Sequence, residues 1–312
     1  MDRGIDHKAL IAGLTTDARR ALCAQSDGPG LVRISLHLGL ICVLGIGIAE
    51  GVPGWPALLV PQGILLVFLF TALHETIHRT AFATNWHNDA VAHLTAFAVL
   101  LGPQHFRYFH MAHHRHTHDP ANDPELESPK PRTRRDYLIY LSGIPEWFWR
   151  AKTLIRNAVL TNEDRYVPER GRLKTQREAR VFMLGYVVLL AVFGQVLLWT
   201  WLIPLLLGGP FLRAYLLAEH TFCPHVANML ANTRTTFTHR LVRWVAWNMP
   251  YHAEHHAYPA VPFHKLPAFH ALTRDHLQET QRGYAPFARD YLSRAAKPER
   301  GADHAPQPRL SP

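Results

Sequence analysis

The chain has 312 residues, enough for one large core or a membrane bundle. Its formal net charge is +9, it holds 22 histidines, and its three cysteines, Cys23, Cys42 and Cys223, are too far apart to form a CxxC. That excludes a disulfide framework, a cysteine zinc site and an iron–sulfur motif, and the basic excess must be read from where the charges fall.

Residues 1–30 are polar, with weak helical periodicity from Lys8 to Cys23. They lack the short apolar run and small-residue cleavage site of a signal peptide and are expected to form a cytosolic N-terminal segment. Apolar blocks of membrane length follow at 32–49 and 56–73, joined by the turn "EGVPGW", which has no Lys or Arg. A shorter run, 90–102, cannot span and is expected to be re-entrant, interfacial or a core helix. The connection 119–180 carries thirteen Lys and Arg and the aromatic stretch "YLIYLSGIPEWFWR", suited to a helix at headgroup level. Two further blocks, 181–199 and 200–218, complete four expected spans, with Arg213 close enough to an end to snorkel. One membrane unit is expected to occupy 31–290, and 291–312 to be a disordered tail. Positive charge in the middle connection places it and both termini in the cytoplasm, so lipid headgroups account for the basic excess and nucleic acid is unnecessary.

Histidines recur at helical spacing in four places: His74 and His78 in "HETIH"; His110, His113 and His114 in "HMAHH"; His220 at the end of the fourth block; and His252, His255 and His256 in "HAEHH". Spacings of three and four put each group on one helix face. With four spans, all nine imidazoles reach the same cytoplasmic side. Charging nine clustered rings would be costly, whereas neutral imidazoles binding metal avoid the repulsion. Imidazole suits Zn, Cu, Fe and Ni, and four or five rings per ion give two ions. "HETIH" alone also matches the zinc-peptidase signature with Glu75 as base, but one zinc needs three protein ligands and leaves six rings idle. A metal transporter would need polar or ionisable groups within the spans, and these hold few: Arg33, His37, Gln62, Gln195 and Arg213.

These three boxes resemble those of the integral-membrane fatty acid desaturase and hydroxylase superfamily over residues 35–270, most densely in "NTRTTFTHRLVRWVAWNMPYHAEHHAYPAVPFHKLP", which is similar to bacterial fatty acid desaturases. The resemblance implies an all-α membrane protein, with four transmembrane helices and a cytosolic helical cap carrying a di-iron site. It implies two Fe ions with O2 as co-substrate, and desaturation of a lipid or fatty-acyl chain or, by the same site, hydroxylation. The metal ligands carried over are His74, His78, His110, His113, His114, His220, His252, His255 and His256. Acyl-CoA desaturases have one more residue between the first two histidines and an Asn where Leu216 stands here. The Glu75 and Glu219 neighbours look more like membrane alkane hydroxylases, so desaturation and hydroxylation both stay open. No carrier domain is visible, so an external donor is expected, a ferredoxin, rubredoxin or similar, in a bacterial inner membrane.

Other polar residues are weighed by position. Glu75, Glu219, Asp119 and His118 are expected to sit behind ligand imidazoles and orient them. His116 is a further candidate for the same role. Glu254, between ligands, is expected to be exposed, and His93 to be a satisfied core histidine. Asn248 and Tyr251 are expected near the third box. His87, His105, His225, His239 and His264 receive no role.

Overall fold

The computed structural model describes residues 5–295. It is mostly helical, and three helical runs are long and apolar enough to cross a membrane: Thr16–Ala49, Trp55–His78 and Glu169–His220.

The polar N-terminus forms two short helices, α1 (His7–Gly13) and α2 (Thr16–Cys23), capped by the side chains of Asp6 and Thr15. Leu10 and Leu22 bury into the main core, so this segment packs on the body. Helix α3 (Asp27–Ala49) starts five residues before the expected block and turns Leu36, Val43 and Ile46 outward. Helix α4 (Leu59–His78) is the central element, buried for nearly its whole second half. It runs antiparallel to α3: His37 Nε2 lies 2.9 Å from Leu65 O, and Gly30 meets Phe82.

Helix α5 (Asn85–Ala98), from the short apolar run, returns along α4 and buries Ala92, Thr95 and Ala96. Helix α6 (Pro103–His116) then heads back toward the end of α4. Its first turn is satisfied by Glu178, whose carboxylate accepts from Gln104 N at 3.0 and 3.1 Å. Helices α7 (Arg134–Leu141) and α8 (Ile144–Val159) follow. On α8, Ile144, Phe148, Trp149, Ile155 and Val159 are exposed, while Arg150 is buried against Glu146 and donates to Val99 O.

Helix α9 (Glu169–Leu197) and helix α10 (Ile203–His220) form one helical run across the joint between the expected third and fourth spans. Phe193 leaves helical φ/ψ, and a π-turn occupies Leu198–Leu202. Fifteen residues of straight helix would separate Tyr186 from Trp201 by about 22 Å. Their rings lie 5.8 Å apart, so the run bends back on itself here. Outward Val181, Leu184, Val188, Leu206 and Phe211 give both arms an apolar surface of the kind lipid covers. Arg213 does not snorkel; it turns inward to Glu146 Oε2 at 3.1 Å.

Helices α4 and α10 lie side by side in the same direction, with Trp55 against Trp199, Gly63 against Gly208 and Phe68 against Tyr215. A Cβ on Gly208 would stand 2.2 Å from Gly63 O, so backbone meets backbone. Two polar side chains within these runs find backbone partners: Gln62 donates to Thr200 O and Arg33 to Trp244 O.

The remaining chain covers one end: α11 (Met229–Asn232), β1 (Thr235–Phe237), α12 (Arg240–Val245), α13 (His252–Ala257), α14 (Leu266–Thr273), β2 (Thr280–Arg282) and α15 (Tyr284–Ala295). β1 and β2 pair in parallel, Thr235 opposite Thr280. The expected tail from 291 is helical as far as Ala295, with Tyr291 buried; the rest of it lies outside the described residues.

Candidate metal centre

Parallel packing of α4 and α10 brings their last residues, His74 and His78 on one and His220 on the other, to the same end. Helix α6 points its last turns to that end and delivers His110, His113 and His114. Helix α13 supplies His252, His255 and His256. Its approach is set by a turn in which Trp247 and Asn248 both take positive φ, 50° and 58°. Such a turn is unfavourable for a tryptophan. It is held because Trp247 is fully buried and Asn248 Nδ2 donates to Phe263 O.

Nine imidazoles therefore converge, in two groups. His74, His78, His110, His114 and His255 bring one nitrogen each within 4.8 Å of one another, and so do His113, His220 and His256. His252 adjoins the second group, its Nε2 3.1 Å from His220 Nε2. The Nε2 atoms also meet in the pairs His78–His110 at 2.9 Å, His113–His220 at 3.2 Å and His114–His255 at 3.2 Å. His74 Nε2 and His256 Nε2 are buried without any hydrogen-bond partner.

This arrangement fits metal ions. Two nitrogens held at about 2.1 Å from one ion and at right angles lie about 3.0 Å apart, and a tetrahedral angle spreads them to about 3.4 Å. The observed 2.9 to 3.2 Å matches the squarer geometry. Five imidazoles also exceed what a catalytic zinc takes from protein. Burial, then mutual repulsion, holds His110, His114, His252, His255 and His256 well below the ordinary imidazole range, so these rings are neutral donors.

Several rings are oriented from behind. His113 Nδ1 lies 2.9 Å from Asp123 Oδ1, a buried carboxylate that also accepts from His118 N. Burial alone would lower the His113 pKa, but Glu125 and Asp123 outweigh it and raise it. His74 Nδ1 lies 3.1 Å from Met249 Sδ, His256 Nδ1 3.3 Å from Thr117 Oγ1 and His252 Nδ1 3.5 Å from Glu219.

The other expected residues fall elsewhere. Glu75 is fully buried and accepts from Phe263 N at 2.9 Å, tying α4 to the segment after the third box. His118 contacts Pro224 O, and burial takes it down to about 4. Asp119 caps its own loop through Ala121 N and Asn122 Nδ2, and His116 Nδ1 lies 3.8 Å from it; neither side chain is bonded to a box imidazole. Glu254 is not exposed: it accepts from Thr235 and pairs with His270, since β1 and α14 cover the back of α13. His93 is half exposed rather than core. Asp123 and Glu125 escaped the sequence reading, although the "NDPELE" turn nine residues beyond the second box carries both.

A cavity of about 530 Å³ opens on the cluster, touching His74, His110, His113 and His252. Phe70, Leu101, Phe106, Phe109 and Met249 give it apolar walls, while Lys130, Glu146, Arg150 and Arg213 line it with charge. Glu75 is not on its wall.

Known proteins share part of this sequence. A sphingolipid Δ4-desaturase from Drosophila melanogaster is 24% identical over 221 residues, covering 68% of this chain and 64% of that protein. An sn-1 acyl-lipid ω-3 desaturase (ferredoxin) from Nostoc sp. (strain 36) is 23% identical over 207 residues, covering 60% of this chain and 56% of its own length. The chain thus spans about three fifths of the curated relatives it matches. A sequence model described as fatty acid desaturase matches residues 52–288, a stretch that contains every histidine of the converging cluster. On that match the chain belongs to the fatty acid desaturase family.

Proposed function

We propose that the protein is a membrane-bound, O2-dependent oxidoreductase that desaturates a lipid or fatty-acyl chain at a di-iron site held by its nine clustered histidines. The observation that carries this reading is two adjacent imidazole groups at the wall of an apolar cavity. A bound iron pair supplies the O2 activation that attack on a saturated C–H bond requires. His74, His78, His110, His114 and His255 would hold one ion, and His113, His220, His252 and His256 the other. Phe70, Phe106, Phe109 and Met249 exclude water from the chain and hold it against the imidazole face. The charged side chains on the same cavity suit a chain that carries a polar head over a bare hydrocarbon.

Four spans fit the bend near Phe193, which makes two arms of the longest run. Charge bias puts the histidine face, residues 119–180 and both termini in the cytoplasm of a bacterial inner membrane. The Nostoc relative's name includes ferredoxin, which supports a separate carrier of that class as electron donor. The zinc-peptidase reading is not favoured: Glu75 Oε1 accepts from a backbone N–H, and Glu75 does not line the cavity.

Lipid profiling of cells expressing the wild-type chain or His113→Ala tests the reading. A new unsaturated chain, dependent on O2 and absent from the variant, is expected. A hydroxylated product would move the assignment to hydroxylation, and identical profiles would overturn it.

A further inference from the structure

The short turn Pro124–Glu127 does something to His113 that happens to none of the five rings in the first group. Asp123 meets its Nδ1, and two residues later Glu125 Oε2 lies 3.3 Å from its Nε2. Nε2 is the nitrogen that also faces His220 Nε2 at 3.2 Å. One ring N–H cannot serve both neighbours, and nitrogen–nitrogen and nitrogen–oxygen separations near 3.2 Å are those of donors sharing an ion at about 2.1 Å. The carboxylate is preset for that role. The Asp123 side chain caps Glu125 N at 2.9 Å, and Lys130 Nζ holds the other oxygen, Oε1, at 2.8 Å. Oε2 is left toward the imidazoles, on the wall of the cavity. Among the described residues, no carboxylate comes within 4.0 Å of a ring nitrogen of His74, His78, His110, His114 or His255.

We propose that Glu125 is an oxygen ligand of the second metal position, making the pair of sites chemically unequal: one all-imidazole, the other imidazole with one carboxylate. This rests on the di-iron reading above. A hard anionic oxygen favours the more highly charged state of a redox metal, so the second position would be the more easily oxidised of the two.

The test uses full-length protein loaded with ⁵⁷Fe. Wild type is expected to hold two irons and give two Mössbauer doublets of equal area. In Glu125→Gln and Glu125→Ala one doublet shifts and one iron is retained about tenfold less tightly or worse, while the other is untouched. Lys130→Met, which removes the ion pair but leaves the carboxylate, keeps both irons and both doublets. Two unshifted doublets in the Glu125 variants would overturn the ligand assignment. So would Lys130→Met and Glu125→Gln failing alike, since the ion pair would then explain both. A wild-type protein without a second iron would instead overturn the di-iron reading, and Glu125 with it.

Discussion

The pocket of His74, His78, His110, His114 and His255 is walled by imidazole alone, whereas that of His113, His220 and His256 has carboxylates close to its rings. The first is built where the buried end of α4 meets α6 and α13. The second is assembled from α6, α10 and α13, with a loop folded over it. A buried carboxylate on an imidazole Nδ1 fixes the ring and raises its basicity. The first pocket thus depends on helices being in register, and the second depends also on the loop that carries Asp123 and Glu125.

Disturbing the register should have the largest effect, because it touches both pockets. Gly208→Leu forces side-chain atoms into the Gly63 backbone and separates α4 from α10. Loss of both irons and of all activity is expected, with a lowered Tm; two retained irons would show that the helix contact does not set the site. Next come single rings. His255→Ala should empty the first pocket and His220→Ala the second, each leaving about one iron per chain and activity at background. If either variant lost both irons, the two pockets would be one cooperative unit.

Smaller still is Asp123→Asn. It leaves the His113 ring in place without its anionic partner, and should weaken one iron about 10- to 100-fold in chelator competition while the other is held as before. The smallest change is expected from Glu75→Gln. Its amide oxygen can still accept from Phe263 N, so activity should fall no more than a few-fold. A general base would lose about 10² to 10⁴ on the same substitution, which would revive the peptidase reading.

The histidine groups were legible because helical spacing puts each on one face, and apolar blocks of membrane length set which end those faces share. The partners behind the rings were not. Asp119 is nearer in sequence to the second box, but His118 takes positive φ, 63°, and the chain reverses there. The reversal turns Asp119 outward to Asn122 and swings Asp123 back under His113. Glu254 shows the complementary failure. Its i+2 position does point away from the ligand face, but that side meets Thr235 and His270, which sequence distance hides. The joint between the third and fourth apolar blocks is made without a loop, because one non-helical residue and a π-turn bend the run there.

The central claim is that nine imidazoles from four helices hold two iron ions. Elemental analysis of the purified, iron-reconstituted full-length protein tests it most directly. Two irons per chain, falling to about one in His255→Ala and in His220→Ala, is the predicted result. A single tightly held zinc, unaffected by His220→Ala, would contradict it.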